Sequence, residues 1–213
     1  MLDREIDELR ATVEGELILP AEPGYDRARR VWNGLLDRRP LAVLRCASTA
    51  DVVAGVAFAR DTGVPLAVRG GGHNVAGHGT VDDGLVLDLA ALDAVAVDPD
   101  ARTVDVGGGS TWGDVDAATQ PFALAVPGGV FSRTGVAGLA LGGGYGWLRN
   151  AYGLSCASIV GAQLVTADAE VIEVDAQSHP DLLWALRGGG GNVGVVTRFT
   201  FRLHAVGPEV YFL

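Results

Sequence analysis

The chain has 213 residues, of which 48% are hydrophobic, 20% charged and 7% aromatic, enough apolar material for one substantial core or two small ones, which excludes a disordered or fibrous chain. Sixteen basic residues stand against 26 acidic ones, for a formal net charge of -10, the wrong sign for holding a phosphate backbone and an argument against nucleic acid as a partner. Every basic residue is Arg and none is Lys, which rules out a Walker A loop and Schiff-base chemistry.

In chain order, residues 3–13 and 25–36 read as short helices, and Pro40 to Arg45 as a buried strand. Ser48 to Thr62 reads as a helix with Ser48 or Thr49 at its N-cap, Asp51 in its first turn and Gly63 at its end. Pro65 to Val68 is the next strand, which makes 40–68 a β-α-β unit with parallel pairing. From Leu85 to Val106 the period becomes two, in LVLDL, AVAVD and TVDVG, and this half is expected to be antiparallel. Ser110 or Thr111 caps a helix to about Gln120, and Pro127-Gly128-Gly129 opens a loop before a small-residue segment from Thr134 to Gly146. Ile159 to Ala167 and Glu170 to Asp175 form a hairpin, Pro180 to Arg187 a short helix, and Val193 to Leu203 a long strand. The fold class expected is α+β, in two lobes of about 1–92 and 93–205.

Cys46 and Cys156 lie far apart with no second Cys or His at metal-ligand spacing, so neither a metal site nor a disulfide framework is indicated. The first ten residues alternate acids and bases instead of presenting a secretory signal. The least polar stretch, Val136 to Leu148, is too short to span a bilayer. The expectation is a soluble, cytoplasmic protein without a membrane partner.

Glycine is the abnormal feature: 31 residues are about twice average usage. They cluster at 70–72, 107–109, 128–129, 142–144 and 188–191, each bordering an apolar run, as expected where main chain approaches a large ligand. Arg69-Gly70-Gly71-Gly72-His73-Asn74, followed by Gly77-His78-Gly79, comes directly after a strand. Consecutive amides in such a turn make an anion-binding nest suited to a diphosphate. A Rossmann loop must run straight into a helix, and here Gly79 to Gly84 is turn-like and a strand follows, so an NAD-dependent dehydrogenase is the weaker reading. A glycine turn with a merely structural histidine remains open from the loop alone.

Three runs carry a family resemblance: RGGGHNVAGHGTVDDGLVLDL, TGVAGLALGGGYGWLRNAYGLSCASIVGAQLVTAD and PDLLWALRGGGGNVGVVTRFTFRLHAVGPEV. Over about residues 38–211 the sequence resembles the FAD-linked oxidases of the vanillyl-alcohol-oxidase fold with a PCMH-type FAD-binding domain. It is most similar to the berberine-bridge-enzyme-like group and its 6-hydroxy-D-nicotine oxidase branch. The resemblance implies that Arg69, Gly70, Gly71, Gly72, His73, Asn74, Gly77 and His78 belong to the pyrophosphate loop, with His73 bonded to the 8α-methyl of FAD. Neutral imidazole is a competent nucleophile for that bond. It also implies that Pro127, Gly128, Thr134, Gly135, Gly138, Gly142 and Gly143 run along the flavin and diphosphate, and that Val195 and Val196 meet the adenine. Phe131 or Ser132 stands where some relatives carry a second, cysteinyl attachment, and Cys156 reads as a small buried hydrophobe.

The family further implies hydride transfer from a small-molecule substrate to flavin N5 and reoxidation by oxygen. Its substrate domain follows the FAD-binding domain, and residues 206–213 read as its beginning. No catalytic acid or base is assigned within these 213 residues. The chain is expected to be either a fragment or a flavin-binding module needing a partner for turnover, with an uncovered apolar face that invites self-association.

Overall fold

A computed structural model describes residues 2–207; the last letters assigned above to a following domain, 208–213, lie outside the described residues. The elements run α1 (Leu2–Thr12), β1 (Glu16–Ile18), α2 (Tyr25–Ala28), β2 (Ala42–Arg45), α3 (Thr49–Thr62), β3 (Leu66–Arg69) and β4 (Leu85–Asp88). They continue through β5 (Val95–Asp98), β6 (Thr103–Gly107), α4 (Trp112–Thr119), β7 (Leu124–Ala125), α5 (Val136–Leu141) and α6 (Arg149–Tyr152). The remainder is β8 (Ile159–Val165), β9 (Val171–Asp175), α7 (Pro180–Leu186), β10 (Val195–Arg202) and β11 (His204–Ala205).

The first sheet has the order β1-β2-β4-β3, with β4 parallel to both neighbours and β1 antiparallel to β2. The β-α-β unit is therefore present, but its two strands do not touch. They flank β4, which corrects the expectation that LVLDL opens the antiparallel half. Leu85, Val86 and Leu87 are all fully buried, as a central parallel strand covered on both faces requires. A run of three apolar residues is a weak alternation signal.

The helix between these strands is α3, and its ends follow the sequence cues: the Ser48 side chain accepts the Asp51 N–H, and Gly63 closes the C-terminus at φ 73°. Asp51 has a second role that its place in a first turn does not reveal. Its buried carboxylate accepts the N–H groups of Glu14 (2.8 Å), Gly15 (3.0 Å) and Ala47 (2.7 Å), tying the chain before β1 to the start of α3.

The second sheet, β5-β6-β10-β8-β9, is antiparallel throughout. Its core stacks Phe199 and Phe201 with Trp112, Ile159 and Leu164. Val165 and Val195, from β8 and β10, instead pack into the apolar layer of the first sheet with Leu44, Val52 and Leu87, so the two layers interlock.

The helix expected over 25–36 is cut to the four residues of α2. Tertiary bonds replace its later turns. The Arg69 guanidinium takes the carbonyls of Ala28 (2.6 Å) and Arg30 (3.2 Å), and the Trp32 N–H donates to Gly72 O (3.1 Å). Residues 28–38 thereby become a strap over the loop that follows β3.

Candidate functional site, the glycine loop after β3

No helix follows β3: residues 70–84 are loop and turn as far as β4. Arg69 anchors the loop's entry. It is buried and pairs with Asp88 at the end of β4 (2.8 Å), and with its other bonds taken by the strap its side chain is committed to protein partners. Gly70 lies against Gly108 O, and Gly71 meets Gly135 backbone to backbone. A Cβ on either Gly71 or Gly135 would strike the other's main chain, so this crossing requires two glycines. Gly72 turns the chain at φ 68°.

His73 follows, half-buried, its ring stacked on Trp32 at 5.6 Å between centroids and 19° between planes. Asn74 closes the loop by accepting the His78 N–H on its side chain (3.1 Å) and the Gly77 N–H on its carbonyl (3.1 Å). Gly77 packs on Leu36 of the strap, and His78 is exposed. Arg38 from the strap donates to Thr80 O (2.8 Å). Among the described residues, the amides of Gly71, Gly72, His73 and Asn74 have no protein acceptor. Four successive unpaired N–H groups leave this turn with donors available to an anion.

The second segment comes alongside through Gly135. Thr111 and Gly135 form a β-bridge, Val136 N–H donates to Ser110 O (2.9 Å), and Thr134 O accepts from Trp112 (3.0 Å). Beyond the crossing, Gly138 is exposed with nothing within 4 Å of where a Cβ would point. Gly142 is exposed too, whereas Gly143 is buried at φ 106° and its carbonyl accepts the Cys156 N–H (2.9 Å). Buried hydroxyls of Ser110 and Ser155 have no protein partner among the described residues, and both stand on segments bonded to this small-residue segment.

Val195 and Val196 are buried in β10, and the Val196 carbonyl faces Gly108 while Gly108 N–H donates to Thr197 O (2.8 Å). The loop, Gly108, Gly135 and the start of β10 thus form one neighbourhood. Pro127 is buried, and Gly128 serves packing: the Trp112 ring and the Gly146 backbone fill the space beside it. Three participants escaped sequence reasoning. Trp32 was assigned to a helix, Gly108 was noticed only as part of a cluster, and Ser110 only as a cap. The signal available in the sequence was the 107–109 glycine cluster itself, and the structure sets its Gly108 against Gly70.

A cleft of about 410 Å³ opens beside the loop, lined among others by Trp32, Gly70, Gly71, Gly72, Thr111 and Arg133. Around the second segment Phe131, Tyr145, Trp147 and Leu154 are exposed to between 45% and 72%. The arrangement fits a dinucleotide cofactor. Unpaired amides suit its diphosphate, and the open Gly138 surface leaves room for a flat ring.

The fold is that of a flavin-nucleotide-binding domain. Residues 40–175 match the family model described as FAD binding domain, and the chain belongs to that family. It is 40% identical over 193 residues to (R)-6-hydroxynicotine oxidase of Paenarthrobacter nicotinovorans, covering 91% of this chain and 42% of that protein. It is 34% identical to an uncharacterized FAD-linked oxidoreductase of Bacillus subtilis, covering 91% and 44%.

Among solved structures, 6-hydroxy-D-nicotine oxidase from Arthrobacter nicotinovorans superposes with a TM-score of 0.89 at 40% identity, over 91% of this chain and 43% of that one. Glucooligosaccharide oxidase from Acremonium strictum, whose FAD is described as 6-S-cysteinyl, 8α-N1-histidyl, superposes with a TM-score of 0.88 at 33% identity, over 93% and 42%. The chain spans less than half the length of these relatives.

Proposed function

We propose that this chain is the flavin-carrying part of an oxidase that passes two electrons from a small-molecule substrate to oxygen, with FAD held on the glycine loop and bonded through its 8α carbon to His73. The observation that carries the reading is the row of unpaired amides from Gly71 to Asn74, which includes that of the half-buried His73. When bound, the isoalloxazine ring supplies the electron-pair acceptor.

The chain's own residues do the rest. The amides from Gly71 to Asn74 neutralise the diphosphate, as backbone donors do without a lysine. Arg69, Gly70, Gly77 and His78 belong to the same loop, and Arg69 acts by holding it to Asp88 and the strap. Thr134, Gly135, Gly138, Gly142 and Gly143 keep side-chain bulk away from the ring, Pro127 and Gly128 support that segment, and Val195 and Val196 offer backbone groups at the adenine end. In this reading lobes of about 1–92 and 93–205 meet at the cofactor. A cytoplasmic setting is part of the proposal, in keeping with two buried free thiols. The exposed aromatic residues near the open glycine surface are where further polypeptide closes over the flavin and brings the substrate.

The test is an absorption spectrum with an intact mass of the purified chain. The expected result is a yellow protein that keeps the added flavin mass after acid denaturation, while His73→Ala stays folded and releases it. Flavin shed by the unaltered chain would remove the covalent link. Failure to take up FAD at all would remove the whole reading. Bleaching by an oxidisable alcohol or amine then separates a module competent in electron transfer from one that only stores the cofactor.

A further inference from the structure

We propose that Trp32 is the positioning residue for flavin attachment: its indole holds the His73 imidazole in the orientation from which it bonds to the cofactor. The inference rests on the reading above and names how that site is set. Trp32 is 65% exposed, so filling the core does not explain it. Its one ring contact among the described residues is His73, in an offset-stacked range of separation and angle.

The tryptophan is not a free surface residue. Its backbone N–H donates to Gly72 O (3.1 Å), one residue before His73, and the neighbouring Asn33 side-chain amide donates to Val75 O (3.0 Å), two residues after it. Arg69 fixes the chain just upstream through the carbonyls of Ala28 and Arg30. The backbone that carries the indole is therefore tied to the loop on both sides of the histidine the indole faces. A histidine beside two glycines and an asparagine would otherwise sample several rotamers, and the stack removes that freedom before the cofactor arrives.

The chemistry requires such control. An imidazole nitrogen forms the N–C bond to the 8α carbon and gives up its N–H proton, while the 8α carbon gives up one of its own. The two electrons and two protons leave on dioxygen as hydrogen peroxide, so the ring ends oxidised. Only the geometry of attack is left for the protein to set, since a misdirected nitrogen lone pair cannot reach the carbon.

The test loads the flavin-free chain with FAD in air and follows acid-stable flavin by intact mass and in-gel fluorescence over time. Noncovalent FAD affinity is measured in parallel in the His73→Ala background. In Trp32→Ala the attachment rate should fall by roughly tenfold or more, as loss of a near-attack geometry predicts, with FAD affinity unchanged. Trp32→Phe, which keeps a stacking face, should restore most of the rate.

Attachment at the unaltered rate in Trp32→Ala overturns the proposal and leaves the linkage at His73 standing. A parallel loss of FAD affinity in Trp32→Ala also overturns it, by making Trp32 a structural strap residue only. Absence of acid-stable flavin from the unaltered chain overturns both the linkage and this inference, so the two failures are distinguishable.

Discussion

Cys46 lies fully buried just past the end of β2, its Sγ 3.7 Å from Leu44 O. Burial, reinforced by the nearby carboxylates of Asp51 and Asp88, pushes its thiol from 9.0 up to about 12. Because the folded value is raised, the associated stability is fully present below about pH 9, where the unfolded thiol is also protonated. It is lost as pH rises toward 12, where only the unfolded chain ionises freely. The unaltered protein should therefore lose more stability between pH 8 and pH 10.5 than Cys46→Ala, measured as the shift in urea midpoint. Iodoacetamide should leave Cys46 unmodified in the folded state at pH 8. An equal pH dependence in the two proteins would contradict the assignment.

Elements are where local rules worked best and where they failed for a physical reason. The ends of α3 and α4 were readable because caps are local. Thr111 and Asp114 form a capping box in which Thr111 N–H donates to the Asp114 carboxylate at 2.8 Å. The lost turns of α2 were not readable, since the competing partners, Arg69 and Gly72, lie some forty residues away. The glycine elements make a paired prediction. Gly71→Ala should destabilise the fold by about 1–3 kcal/mol, because its Cβ meets immobile backbone at Gly135. Gly138→Ala, with open space at α5, should leave stability unchanged or raise it by up to about 1 kcal/mol. Thermal or urea unfolding of the two variants checks the contrast. Flavin uptake adds the functional half: Gly138→Leu should fold but bind FAD weakly if the ring lies over that surface.

Across the whole molecule, the Arg69–Asp88 pair joins the ends of β3 and β4, and Arg69 reaches past it to the strap, so one side chain couples the first sheet, residues 28–38 and the glycine loop. Arg69→Met leaves a nearly buried carboxylate without its cation and frees two carbonyls, and should cost about 3–5 kcal/mol. Mapped by hydrogen exchange, the loss should spread through 28–38 and 70–80 more than through the antiparallel sheet. A uniform loss over the whole chain would show instead that the layers, which share Val165 and Val195 in one apolar cluster, unfold as a single unit.

The α+β composition, most strand positions, the caps of α3 and α4 and the glycine loop with its histidine were legible in the sequence, because apolar period, capping side chains and turn glycines act within a few residues. Its motifs also pointed to the flavin family that the comparisons then showed. Only the tertiary structure decided that β4 slips between β2 and β3, that residues 28–38 give up helix to strap the loop, and that Trp32 faces His73. It also decided that Gly128 makes room for Trp112, whereas Gly138 lies open. Those outcomes follow from hydrogen bonds and close contacts between segments distant along the chain, and no local pattern records which distant partner wins.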